Sequence, residues 1–179
     1  ADARYKELHE FFGVEPSTPL EIYFYPSPKE QRKLMGAGKV RIAKPWLSQV
    51  HLSNIGERAP VLKHEMVHVF GAEIATGFLG IPTTLGILPK MALIEGIATY
   101  LEGRRGERSL HQWCAALLQI NKLPKISAMM GAEGYTSTYG PTAYTAAGSF
   151  LGYLDAHYGR ELLIRLYKNG DFLQTYDTP

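Results

Sequence analysis

The sequence has a single cysteine, nearly balanced charge and no uninterrupted apolar segment long enough to cross a membrane. Cys114 cannot form an internal disulfide, and its apolar helical surroundings indicate a small core residue. With 19 Lys and Arg against 17 Asp and Glu, the net charge is only +2. The one basic cluster, Arg104, Arg105 and Arg108, is interrupted by acidic residues, which is typical of a solvated turn. We therefore expect no nucleic-acid partner.

The stretch that comes closest to a membrane span is residues 69–89, in which only Glu73 is charged. Glycine and proline recur through it and would leave backbone groups unsatisfied in lipid, so we expect no transmembrane segment in this chain. We expect a long apolar loop instead, serving as a wall or lid beside a substrate. Because the chain begins at Ala1 rather than Met and shows no signal peptide, we expect a processed or excised segment.

What the sequence does contain is a metal-binding pattern, since residues 64–68 read His-Glu-Met-Val-His. On a helix, at about 100° and about 1.5 Å per residue, His64 and His68 lie about 40° apart, so both imidazoles can reach one ion. Glu65 can then touch a water bound to that ion, which is the arrangement of a zinc hydrolase. Pro60 suits the first position of an apolar helix, and Gly71 is a candidate stop. A structural His-Glu-His cluster without metal is the alternative.

Catalytic zinc usually has three protein ligands and one open position, so a third ligand is expected. Glu95 is our candidate, because it is the one carboxylate in the apolar helical stretch 92–101. A carboxylate with apolar neighbours on nearly all sides favours a bound cation. Glu73, expected just beyond the first helix, is the weaker candidate. Thr99, four residues after Glu95, is a candidate for orienting a ligand histidine, and an ordinary helical threonine is its alternative.

These residues resemble the gluzincin metallopeptidases, and more closely their small bacterial peptidase-MA-like branch. The resemblance rests on the motif at 64–68 and on Glu95-Gly96-x-Ala98 opening a second helix. A third element reads Tyr144-x-x-Ala147-Gly148-Ser149-Phe150-x-x-Tyr153-Leu154, followed by Tyr158-Gly159. The resemblance covers about two thirds of the chain.

The resemblance implies that His64, His68 and Glu95 bind Zn²⁺, that Glu65 is the general base, and that Tyr144 steadies the oxyanion. Tyr139 is the alternative donor, because it lies in the loop before the third helix. Tyr153 lies about two and a half turns further along that helix than Tyr144, where core packing is the expected explanation. The implied activity is hydrolysis of peptide bonds in a peptide or protein substrate, in an extracytoplasmic or membrane-anchored setting. The spacer to Glu95 is longer than in the thermolysin and aminopeptidase branches. There is also no Gly-x-Met-Glu-Asn element to grip a substrate amino terminus, so we expect an endopeptidase rather than an aminopeptidase.

The expected fold is a single zincin-like α+β domain over residues 1–179. Its first lobe, about residues 1–71, combines a small sheet with the active-site helix, and its second, about 90–179, is helical. Periodicity and capping signals place the elements: Ser27 begins a capping box before the helix at Pro28, and residues 20–25 alternate Leu, Ile and Phe inward against Glu and Tyr outward. Besides the two helices that carry the ligands, the predicted helices are 2–12, one from Pro28 to near Gly36, 110–121, 142–158 and 160–169. The predicted strands are 20–25 and two short strands around 40–42 and 50–52. Residues 124–140 are expected to form a loose loop.

Two other classes of protein stay open at this point. One is a non-catalytic, zinc-stabilised interaction domain. The other is a sensing module of a longer membrane-anchored protein. Neither class needs a proton-transfer role for Glu65, and the sequence specifies no oligomeric state.

Overall fold

The computed structural model describes residues 2–53 and 59–177 and shows a mixed α+β protein, as the sequence predicts. The chain divides into two compact units, residues 1–74 and 75–179. The first unit contains helices α1 (Asp2–Phe12), α2 (Pro28–Met35) and α3 (Pro60–Ile74) and strands β1 (Glu21–Tyr25), β2 (Ile42–Lys44) and β3 (Gln49–Ser53). The second contains strands β4 (Thr83–Thr84) and β5 (Leu88–Pro89) and helices α4 (Met91–Glu102), α5 (Leu110–Gln119), α6 (Ala132–Ser137), α7 (Gly140–Tyr158), α8 (Arg160–Asn169) and α9 (Phe172–Tyr176).

The three strands of the first unit form one sheet in the order β1-β3-β2. β3 pairs in parallel with β1 and antiparallel with β2, so that Val50 lies beside both Ile22 and Ala43. α2 connects β1 to β2. It begins where the Ser27 side chain accepts a hydrogen bond from the Glu30 amide, and it ends at Gly36 in the left-handed conformation. These features confirm the predicted small sheet and the predicted cap at Ser27.

β1 differs from the predicted alternation, which placed Phe24 inward and the tyrosines outward. Phe24 is exposed, whereas Tyr25 is buried and its hydroxyl is hydrogen-bonded to His51 Nδ1 at 2.8 Å. β1 is an edge strand, so its side chains are covered on fewer sides than those of β3. The buried ring of β1, Tyr25, is therefore the one that has a hydrogen-bond partner on β3.

Helix α3 is longer than predicted, because it continues through Gly71 to Ile74. Glycine in a helix interior is only about 1 kcal/mol less favourable than alanine, and packing outweighs that difference here. Phe70, which is fully buried, lies against Tyr5 and Phe12 of α1, with ring centroids 5.1 and 6.1 Å away. β2 and β3 also pack on α3. The helix is therefore fixed by several elements of its own unit.

The expected long loop after α3 is partly ordered into secondary structure. A short 3₁₀ turn at Phe78–Gly80 is followed by the β4–β5 hairpin. Between the strands, Leu85 has a positive φ of 53° and is 88% exposed. The other exposed large apolar side chains of this stretch are Phe78, Leu79, Ile87 and Leu88.

The second unit is organised around the contact between α4 and α7, the most extensive helix pair of this unit. The two helices approach closely through glycine. A Cβ added to Gly96 would lie about 3.1 Å from the Ala147 carbonyl, and one added to Gly148 would lie 2.9 Å from Thr99 Cγ2 and Leu110 Cδ1. α5 and α8 also pack on α7. The predicted helices at 110–121, 142–158 and 160–169 are confirmed to within two residues at each end.

The segment 124–140, expected to be a loose loop, is largely helical. A 3₁₀ turn at Ile126–Met129 precedes α6, and both contact α4 and α7. The polar residues that suggested a loop are satisfied within the helix, since the Thr136 hydroxyl donates to the Ala132 carbonyl and the Thr138 hydroxyl to the Gly134 carbonyl. Among the residues described, no helix is long and apolar enough to cross a membrane.

Cys114, the single thiol, lies on α5 and is half-buried beside the apolar cluster formed by α4, α6 and α7. Its Sγ lies 3.7 Å from the Thr145 carbonyl oxygen, and burial raises the pKa of the thiol. Cys114 thus packs at the edge of the core rather than within it.

The glycine contact between α4 and α7 predicts that Gly148→Val destabilises the protein by at least about 1–3 kcal/mol, because the added side chain overlaps Thr99 and Leu110. Thermal denaturation should show a lower midpoint for this variant. Gly140→Val is the matched control in the same helix, since no atom lies within 4 Å of an added Cβ there. Equal midpoints for the two variants would contradict this description of the α4–α7 contact.

Candidate metal centre

Helix α3 carries its polar motif on a buried surface. Leu62, Met66, Val67, Val69 and Phe70 are fully buried around the motif. The motif residues themselves are enclosed, with His64 8% and Glu65 7% exposed, while His68 is half-buried. The rings of His64 and His68 lie edge to face, with centroids 5.1 Å apart. One helical turn thus presents two imidazoles and a buried carboxylate.

Glu95 lies on α4, in a turn that is otherwise apolar. Ala92, Leu93 and Ile94 before it and Gly96 after it are all buried, while Glu95 is half-buried. The negative charge of Glu95 affects the pKa values of two tyrosines in the same unit. Burial is the main cause of the raised pKa values of Tyr135 and Tyr167, and the negative charge of Glu95 raises both further.

His64, His68 and Glu95, the three predicted ligands, lie together. Each offers one possible ligand atom, and these three atoms all lie within 4.8 Å of one another. His64 is buried and the other two are half-buried. The three side chains could hold a metal ion, which the structure does not identify. Within residues 2–53 and 59–177, no other trio of His, Cys, Asp or Glu side chains has this geometry.

Glu73, the weaker candidate ligand, does not belong to this group. It lies in the last turn of α3 rather than beyond the helix, because α3 extends past Gly71. Its Oε1 accepts hydrogen bonds from the Ser17 amide at 2.9 Å and from the Ser17 hydroxyl at 3.1 Å. The Glu73 carboxylate therefore ties the end of α3 to the segment before β1.

Tyr144, the predicted oxyanion donor, lies near the start of α7 beside the cluster that includes Ala92 of α4. Its ring meets the edge of Tyr135, with centroids 5.6 Å apart, and the Arg105 guanidinium lies 5.8 Å from its centroid. Tyr139, the alternative donor, precedes α7 and is 75% exposed. Tyr144 is thus the more enclosed of the two.

Tyr153, for which core packing was the expected explanation, is an exposed residue. Its ring lies 4.0 Å from that of His157 and also contacts Tyr158. The buried residues of α7 near it are Leu151, Gly152 and Leu154. Position 153 lies outside this set because α7 has helical periodicity.

Thr99 is buried, and its side chain lies against Gly148 of α7. Its hydroxyl has no hydrogen-bond partner among the residues that the structure describes. An orienting role for Thr99 toward a ligand histidine therefore stays a prediction.

The sequence-based site assigned no role toward Glu95 to two tyrosines whose pKa values the Glu95 charge raises. Tyr135 was placed in a loose loop, because the glycine and hydroxyl residues around it do not indicate helix α6. Tyr167 resembles an ordinary apolar position of the amphipathic helix α8, in which Leu163 and Leu166 are also buried. Only the effect of the Glu95 charge on their pKa values distinguishes these two phenols from core residues.

No protein-family model, no curated protein and no solved structure matches this chain. The chemistry of the site therefore rests on its own residues.

The donor set predicts one zinc ion per chain, and we expect His64→Ala or His68→Ala to abolish binding. Losing one of three protein ligands leaves a site that competes poorly with water. Metal content of the purified protein, measured with and without chelator treatment, checks this expectation. Unchanged metal content in both variants would show that His64 and His68 are not metal ligands.

Glu95→Ala should weaken zinc binding, because it removes the only carboxylate of the group. Glu73→Ala is the matched control, since the Glu73 carboxylate bonds to Ser17 and should leave the metal unaffected. Zinc titration of the two variants separates the candidates. Weaker binding in Glu73→Ala alone would move the third ligand to Glu73.

Proposed function

We propose that this protein is a zinc metallopeptidase of the gluzincin type that hydrolyses internal peptide bonds. The observation that carries the proposal is the convergence of His64, His68 and Glu95 to within 4.8 Å, with Glu65 buried next to His64 in α3. The resemblance described above supplies the reaction class. The missing element for gripping a substrate amino terminus favours endopeptidase over aminopeptidase activity.

The donor set fits zinc. Two imidazoles and one carboxylate form a ligand combination used by catalytic zinc sites, and they leave one coordination position for water. Ligand atoms at about 2.0–2.1 Å from a tetrahedral zinc lie about 3.3 Å from one another. The three candidate ligand atoms lie within 4.8 Å of one another, so they are close to this spacing. His64, His68 and Glu95 would hold the ion. Bound zinc would polarise the scissile carbonyl and lower the pKa of its water toward about 7.

Glu65 is the proton carrier in this proposal. Its carboxylate takes one proton from the attacking water as the water oxygen bonds to the carbonyl carbon. It then delivers that proton to the leaving nitrogen as the carbon–nitrogen bond breaks, so the carboxylate returns to its starting state. The low exposure of Glu65 suits this role, because a carboxylate held away from bulk water exchanges its proton with the reacting groups.

Tyr144 is the proposed hydrogen-bond donor to the oxyanion. The contacts with Tyr135 and Arg105 support this assignment, because they hold the ring in one place. A fixed donor lowers the barrier more than a mobile one, since no reorganisation is needed at the moment of reaction. The exposed Tyr139 lacks such contacts among those described for the site.

A non-catalytic, zinc-stabilised interaction or sensing domain is the second candidate. The apolar side chains around the β4–β5 hairpin favour it, because Leu85, Ile87 and Phe78 are largely exposed. Contiguous exposed apolar side chains are typical of surfaces that contact a partner. Turnover of a broad peptide library by the zinc-loaded protein separates the two candidates.

Glu65→Gln should keep zinc and fold while peptide hydrolysis falls by at least about 10²-fold, since the amide fills the same space but cannot accept a proton. Hydrolysis of a library peptide, with zinc content measured in the same preparation, checks both parts. Equal hydrolysis by wild type and Glu65→Gln would favour the interaction domain.

Tyr144→Phe should retain zinc and lower kcat by about 10²-fold to 10³-fold with a modest change in KM, because the lost donor acts in the transition state. Tyr139→Phe is the comparison, since Tyr139 precedes the same helix. Steady-state kinetics of both variants identify the donor. A loss confined to Tyr139→Phe would place the donor before α7, and no loss in either variant would exclude both tyrosines.

A further inference from the structure

Buried polar side chains without partners are rare in folded proteins, and each one calls for an explanation. Among the described residues, four buried side-chain polar atoms have no hydrogen-bond partner. They belong to Gln31, Thr99, Tyr135 and Tyr176. Tyr135 is the one that packs in a buried cluster with Ala92, one turn before Glu95 on α4, and the charge of Glu95 helps to raise its pKa. Its side chain is 5% exposed, so water does not replace the missing partner at the surface.

The position of Tyr135 is fixed by close packing of α6. The Ala128 carbonyl oxygen lies where a side chain at Gly134 would begin, only 1.7 Å from an added Cβ, so only glycine allows this approach. The contact locks α6 onto the preceding 3₁₀ turn, and both elements pack on α4 and α7. Tyr135 follows Gly134 directly and enters the cluster that includes Ala92 and Ala147. The ring of Tyr144 meets it edge to face.

A carboxylate that binds a metal ion also needs hydrogen-bond donors such as a tyrosine hydroxyl. A carboxylate has about four acceptor sites, and a metal ion uses one or two of them. The remaining sites need hydrogen bonds, because an unsatisfied charged oxygen in an apolar interior is costly. Ligating carboxylates in metalloproteins are accordingly held by a further layer of donors.

We propose that Tyr135 is a positioning residue for the metal centre, whose hydroxyl donates a hydrogen bond to the Glu95 carboxylate when that carboxylate binds zinc. This inference rests on the proposed zinc site. The bond fixes the rotamer of Glu95 and increases its fraction of time in the ligating orientation. The free energy lost by burying an unpaired hydroxyl in the metal-free protein is recovered when zinc binds.

The test is Tyr135→Phe, with zinc affinity measured by competition against a chromophoric chelator. We expect affinity to fall by about 10-fold to 100-fold, the usual effect of removing a donor to a metal ligand. The melting temperature of the metal-free variant should equal or exceed that of wild type, because the lost hydroxyl had no partner there. A purely structural role predicts the opposite pattern, with a lower melting temperature and unchanged affinity.

Tyr176→Phe is the matched control. It also removes a buried hydroxyl without a partner from the second unit, but burial and the charges of Tyr158 and Asp155, not Glu95, raise its pKa to about 12. Zinc affinity should be unchanged in this variant. Equal zinc affinity in wild type and Tyr135→Phe overturns the inference, as does a loss of affinity in Thr99→Val with none in Tyr135→Phe. Wild-type protein that binds no zinc overturns the proposed function and this inference together.

Discussion

Helix α3 brings an imidazole and a carboxylate into the interior of an otherwise apolar helix, and the free energy of that burial constrains the rest of the site. Burying ionised groups costs several kcal/mol each unless charge or hydrogen bonds compensate. Rotating α3 away from this orientation would disturb its packing, because Leu62, Met66 and Val67 are fully buried on other sides of the helix. Contacts with α1, β2 and β3 also oppose such a rotation. The helix is stable in this orientation only if charges or hydrogen bonds compensate for the burial of His64 and Glu65.

The second constraint is the close contact of α4 with α7, which determines where the Glu95 carboxylate lies. Gly96 follows Glu95 directly and rests against Ala147, so the backbone that carries the carboxylate has little room to move. α6 also packs on α4, and the charge of Glu95 raises the pKa values of Tyr135 and Tyr167. The position of Glu95 thus depends on the packing of α6 and α7 as well as on α4.

Much of this arrangement could be predicted from the sequence where the signals are local. The Ser27 cap, the strand containing Val50 and Leu52, and the spacing of His64 and His68 each depend on neighbours a few residues away. Glu95 could be selected because a single carboxylate in an apolar stretch is conspicuous. The approach of the three ligand atoms is a long-range result that spacing alone cannot supply.

The predictions that were wrong depend on long-range packing. Gly71 was a reasonable helix stop, but the buried surface of α3 outweighs the propensity of one glycine. Residues 132–137 look like a loop because hydroxyls and glycine disfavour helix, yet those hydroxyls bond to the carbonyls of the same turn. The close approach of Ala128 to Gly134 then fixes a segment that propensity leaves undecided. The packing of Tyr135 against α4 and α7 could not be predicted for the same reason.

The half-buried thiol of Cys114 bears on selectivity for the metal. Thiolates, not thiols, bind zinc, and they bind it strongly. Because burial raises the pKa of Cys114, its thiol is protonated at neutral pH even more completely than a free cysteine. The single sulfur of the chain that could compete with imidazole and carboxylate ligands is therefore kept in its weakly binding form. A thiol kept protonated is a poor ligand, which leaves the nitrogen and oxygen atoms of His64, His68 and Glu95 as the candidate metal ligands.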